Sequence, residues 1–186
     1  MAGNGDCKVL EWIAYFYQTY FREITFSALP KELRDILGDT AYGVITKIVM
    51  GTSSKAIPKM AKNLGFLKEG EQADILKAIM ELNSKCHIEL HKETSKYGTV
   101  GDIGLIPMEY DEEKGTLKFI LNKCPVDIVA AAPYVGIVAG ISRGLGLKAY
   151  PVRDPSQKKF IKEGYIVYPV LKKDEGKCYI VLERVA

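Results

Sequence analysis

The chain has 186 residues, 47% of them hydrophobic and 26% charged, enough for one well-buried core and too few for two full-sized domains. Its 26 lysines and arginines nearly balance 23 aspartates and glutamates, and basic pairs such as Lys158-Lys159 and Lys172-Lys173 are scattered rather than aligned, which argues against a nucleic-acid partner. No basic flank with an apolar run follows Met1, so a secretory signal is not read and a cytoplasmic location is expected. Glutamine is scarce beside abundant lysine and glutamate, a composition that suits a thermophilic source. The four cysteines, Cys7, Cys86, Cys124 and Cys178, form no CxxC pair, so reduced thiols are expected rather than a disulfide framework or a zinc ribbon.

Asp6 is placed to cap a helix reaching about Thr25, with Trp12, Tyr15, Phe16, Tyr17, Tyr20 and Phe21 inside it. Rings on two faces mean that this helix touches more than one surface, as core, dimer interface or pocket wall. The segment 27–30 breaks it. Pro30 then suits the first turn of a short helix to Leu37, which Gly38 ends. Asp39 is expected to cap the next helical run, where Tyr42, Ile45, Ile48 and Val49 form a buried face and Pro58 kinks or interrupts the helix before Gly65. Within this run Gly51-Thr52-Ser53-Ser54-Lys55 is no phosphate loop, because it lacks the GxxxxGK[ST] frame and no strand leads into it. A third helix over 71–93 buries Ile75, Ile79, Leu82, Cys86 and Leu90.

Beyond Gly98 the period shifts toward two. Residues 103–110 and 116–121 read as a hairpin around Asp111-Glu112-Glu113-Lys114-Gly115. The apolar stretch 124–141 approaches bilayer length, yet Pro125, Asp127, Pro133, Gly136 and Gly140 interrupt it, so a buried segment is expected and no membrane span. Pro133 is read in the first turn of a helix that Gly144 and Gly146 end. Asp127 stands alone among apolar residues, where an ionised carboxylate must be paired or cap a helix. A strand over 147–152, a polar excursion through Pro155-Ser156-Gln157, and a closing hairpin of 165–171 with 178–185 around Lys173-Asp174-Glu175-Gly176 complete the chain. Helices first and sheet late point to α+β, with N-terminal helices packed on a late antiparallel sheet and a strand-strand-helix-strand-strand C-terminal half. The whole is read as a single domain, 1–186, with an aromatic helical extension over 1–38 and a core over 39–186.

Cys124-Pro125, then Gly136-Ile137-Val138-Ala139-Gly140, then Glu175-Gly176-Lys177-Cys178-Tyr179-Ile180 carry a resemblance. Over roughly residues 40–185 the chain resembles the 4-vinyl-reductase-type domain, a small-molecule-binding module related in fold to heme-nitric-oxide-binding domains and to trafficking-complex subunits. The resemblance implies a pocket for a small molecule. Members with a structural zinc also supply a glutamate and further cysteines around the last hairpin, but here the strand reads Tyr165-Ile166-Val167-Tyr168-Pro169-Val170-Leu171. Cys124 and Cys178 would need histidine or glutamate to complete a zinc site, so the family's site reads as degenerate and the cofactor stays open. His87 and His91, the two histidines, share a helix face at the i,i+4 spacing that a single metal ion can bridge, but two ligands do not close a site and Glu89 falls one place too late for an HExxH motif.

Three functions follow. The first is binding or sensing of a small hydrophobic or aromatic molecule between helices and sheet, with Trp12, Tyr42, Met50, Met80, His87, Cys124 and Tyr134 as wall residues; ordinary core packing explains each of them equally. The second is a homodimeric interaction module built on the aromatic first helix, with no ligand. The third is an enzyme, which no motif supports: there is no GxSxG elbow, and Asp127, Glu109 and Asp154 are the carboxylates nearest strand ends.

Overall fold

A computed structural model of the protein describes Tyr20 and residues 23–63, 105–111, 113–121 and 123–185. Most of the expected first helix and all of the helix over 71–93 lie outside the described residues. The chain enters through a wide π-helical turn, Glu23–Ala28, which runs straight into α1, Leu29–Leu37. Ser27 therefore does not break the chain as expected, while Pro30 occupies the first turn of α1, where its missing N–H costs nothing. A 3-10 turn, Gly38–Thr40, leads to α2, Ala41–Asn63. Pro58 sits inside α2 without ending it.

Two details of α2 correct the sequence. Asp39 does not serve as its cap: the carboxylate reaches across to the Arg153 guanidinium at 2.9 Å. Ile48 is 55% exposed although Tyr42 and Ile45 are buried. The buried stripe runs through Ala41, Tyr42, Ile45, Thr46, Val49 and Ser53, and at 100° per residue Ile48 falls off its edge.

The second half supplies β1, Leu105–Asp111; β2, Thr116–Leu121; α3, Ile128–Gly144; β3, Ala149–Pro151; a 3-10 segment, Pro155–Phe160; β4, Gly164–Lys172; and β5, Lys177–Val185. Both expected hairpins form, each turning on a glycine with positive φ, Gly115 at 59° and Gly176 at 63°, a conformation that L side chains resist. The five strands lie in the order β1-β2-β5-β4-β3. All neighbours are antiparallel except β3 and β4, which are parallel. The sheet is thus mixed, not antiparallel throughout: α3 carries the chain across to the far edge, and the excursion over 152–163 returns it to the same end before β4 begins. The class is α+β, with the helical N-terminal part before the sheet.

Alternation sends Leu117, Phe119 and Leu121 of β2, Val167 of β4, and Cys178, Ile180 and Leu182 of β5 into one core with α3. α3 is apolar nearly all round, as a helix must be when it is covered on more than one side. Its glycine face meets α2 so closely that a Cβ on Gly140 would stand 2.5 Å from the Ser53 Cβ, and one on Gly136 2.8 Å from the Val49 Cβ. The C-terminal end of α3 is tied to β3 by Arg143 Nε, which donates to the Ala149 carbonyl at 2.6 Å. A smaller cluster of Val152, Ile166, Tyr168, Val181 and Val185 lies on the opposite sheet face. Among the described residues no helix is long and apolar enough to cross a membrane.

Candidate functional site

The segment 123–127 leaves β2 and must turn sharply before α3 begins. Pro125 has no N–H to give to a strand, and Asp127 caps the helix: its Oδ1 accepts from the Ala130 amide at 2.8 Å. α3 therefore starts at Ile128, and Pro133 lies inside it rather than in its first turn. Asp127 also accepts from the Arg34 guanidinium of α1. Partial burial pushes the Asp127 carboxyl up, but the Ala130 amide and Arg34 outweigh that and hold it below the usual carboxylate range. Lys173, in the tip of the closing hairpin, donates to the Val126 carbonyl. A disulfide joins Cys124 to Cys178 of β5, with Cα atoms 5.3 Å apart.

Between this segment, the π-helical turn and α1 lies a cavity of about 400 Å³. Phe26, Pro30, Cys124, Pro125, Ala130 and Tyr134 supply its apolar lining. Glu23, Lys31, Arg34, Lys123 and Asp127 supply charge. The Phe26 and Tyr134 rings stand 4.6 Å apart between centroids, tilted by 40°, which makes an aromatic corner of the wall. Arg34 is committed to Asp127 and Lys31 lies 4.0 Å from Glu32, so the wall carries both signs of charge, with Lys123 and Glu23 among them. Apolar and charged side chains share this wall, a lining that suits a small amphiphilic molecule. No protein-family model, curated protein or solved structure matches this chain.

The residues expected to line a pocket divide. Cys124 and Tyr134 both face the cavity. Tyr42 does not: it is 4% exposed in the core, its hydroxyl donates to the Val152 carbonyl at 2.6 Å, and burial pushes that hydroxyl far up from its ordinary range. The Arg153 guanidinium covers the Tyr42 ring at 5.7 Å, so this side chain ties α2 to the loop after β3. Met50 packs against the core beside the α3 contact. Trp12, Met80, His87 and His91 lie outside the described residues. Two corrections concern the cysteines: Cys124 and Cys178 are not reduced thiols, and as a cystine they have no thiolate to offer zinc. Among the described residues no group of three or more histidine, cysteine, aspartate or glutamate side chains is gathered to hold a metal.

The sequence missed Phe26, Lys31, Arg34 and Lys123. Lys123 beside Cys124-Pro125 was a visible cue to a charged rim, whereas Arg34 lies 93 positions from Asp127 and only the fold joins them. A second polar group sits on the outer sheet face, where Glu183 accepts from Lys158 and from the Tyr168 hydroxyl, both at 2.7 Å. Partial burial pushes the Glu183 carboxyl up, and those two donors bring it below the usual range. Its bonds are made within the chain, and it anchors the 3-10 segment to the sheet.

Proposed function

We propose that the protein binds a small hydrophobic or aromatic molecule in the cavity between α1 and the start of α3. The observation that carries this reading is the Phe26 and Tyr134 corner inside a cavity of about 400 Å³, large enough for a ring system of modest size. The resemblance to the 4-vinyl-reductase-type domain supports the same class of ligand, although the cavity lies at the helix start instead of deeper between helices and sheet. Lys123 offers a cation to an acidic substituent, beside Glu23 and a Lys31 that pairs with Glu32. A heat-tolerant intracellular setting accounts for both the lysine and glutamate richness and a disulfide, since intracellular disulfides persist in hyperthermophiles.

The test is fluorescence titration with anilinonaphthalenesulfonate, an acidic aromatic probe. Saturable binding is expected in the wild type, and a loss of at least tenfold in affinity in Ala130→Phe, whose ring fills the cavity. Absence of saturable binding, or equal affinity in the filled variant, would sink the reading. Homodimerisation is the second reading, favoured by Ile24, Ile36 and Leu37, with Ile36 74% exposed on α1; a monomer mass by native mass spectrometry at micromolar concentration would end it.

A further inference from the structure

The two sulfurs of the disulfide stand in different surroundings. Cys178 is 0% exposed on β5, inside the core with Phe119 and Ile180. Cys124 is half-buried and forms part of the cavity wall. Cys124 borders the cavity and Cys178 does not, so a nucleophile that enters approaches the disulfide from the Cys124 side. The nucleophile in disulfide exchange is a thiolate, and Lys123, the immediate neighbour of Cys124, is a cation on the same cavity, which also carries Glu23.

We propose that Cys124 is a thiol-exchange site, at which a low-molecular-weight thiol entering the cavity is captured as a mixed disulfide. The incoming thiol gives up its proton, and its thiolate attacks the Cys124 Sγ. A new sulfur-sulfur bond forms there while the Cys124–Cys178 bond breaks. Cys178 Sγ leaves with the electron pair and takes up the released proton, which spares the core a buried thiolate. The incoming sulfur is oxidised to the disulfide level and Cys178 is reduced. A second thiol attacks the mixed disulfide, leaves as the oxidised dimer of the small thiol, and frees Cys124. The reverse sequence, with the small disulfide as oxidant, restores the cystine. Cys124 is the only cysteine of the pair that the small molecule touches, so the modification is one-sided.

Glutathione and its disulfide are the probes, used on the full chain. The wild type is incubated with glutathione, quenched with acid, alkylated and mapped by peptide mass; the adduct is expected on the Cys124 peptide with alkylated Cys178. In Cys178→Ser, glutathione disulfide is expected to modify Cys124 in the folded protein, and Ala130→Phe in the same background to slow this at least tenfold. In Cys124→Ser, Cys178 is expected to react at least tenfold more slowly until guanidinium is added. Glutathione on Cys178 in the wild type, equal rates in the two single variants, or no adduct on Cys124 would overturn the proposal. The wild-type experiment needs no substitution, and Cys178→Ala replaces Cys178→Ser if circular dichroism shows the serine variant unfolded. The proposal rests on the cavity and the cystine alone, so failure of the aromatic probe to bind would leave these outcomes readable.

Discussion

Asp127 does two things with one carboxylate. It caps α3 through the Ala130 amide and neutralises Arg34 of α1, so a single side chain holds two walls of the cavity together. Asp127→Ala is expected to cost about 1 kcal/mol from the cap alone, read as a lower midpoint in urea denaturation. Asp127→Asn retains a capping oxygen and isolates the charge. Because the folded carboxyl titrates below its ordinary value, the unfolded chain takes up the proton first as pH falls. The stabilisation is complete above the unfolded pKa and drains away as pH drops through the folded one. The melting-temperature gap between wild type and Asp127→Asn is therefore expected to be widest at neutral pH and to shrink as pH falls through and below the ordinary carboxylate range. A gap that is constant with pH would show that the charge contributes nothing. The isolation of Asp127 in an apolar run announced both roles, but its partner could not be named: nothing local marks Arg34, and a contact 93 positions long exists only once the helices are packed.

The contact between α2 and α3 turns on missing side chains. Gly140 leaves no room for a Cβ, which would meet the Ser53 Cβ at 2.5 Å and the Met50 carbonyl oxygen at 2.7 Å. On α2, Gly43 and Gly51 have nothing within 4 Å of the same position. The identical substitution should therefore change sign along this pair of helices. Gly51→Ala and Gly43→Ala are expected to stabilise by about 0.5 to 1 kcal/mol through helix propensity, whereas Gly140→Ala should destabilise by about 1 to 3 kcal/mol through overpacking. Thermal denaturation of the three variants reads this directly; a stabilised Gly140→Ala would mean that the helices can part without loss. The GxxxG spacing was plain in the sequence, and so were both hairpins, because glycine placement and period-two alternation are local signals. The parallel seating of β3 was not. A strand of three residues, Ala149–Pro151, has no pattern of its own, and its direction is set by a helix that crosses the sheet before it.

At the scale of the whole molecule, the disulfide closes a loop over a sequence separation of 54. Chain-entropy arguments give such a cross-link about 4 kcal/mol, so a reducing agent is expected to lower the melting temperature by about 10 °C in the wild type and by nothing in Cys124→Ser/Cys178→Ser. The cysteine spacing concealed this pairing, since Cys124 and Cys178 meet only after β5 has been laid beside β2. That same sheet order governs assembly. β1 pairs with β2, and β3 with β4, but the two pairs are joined in the sheet only through β5, which comes last of the five described strands and lies at the middle of the sheet. Until residues 177–185 dock, the folding chain carries two half-sheets whose inner edges, β2 and β4, are open to any passing strand. Docking of β5 is thus the step at which the folding chain exchanges two sticky edges for one sheet, and a chain in which that strand is held back is at its most aggregation-prone.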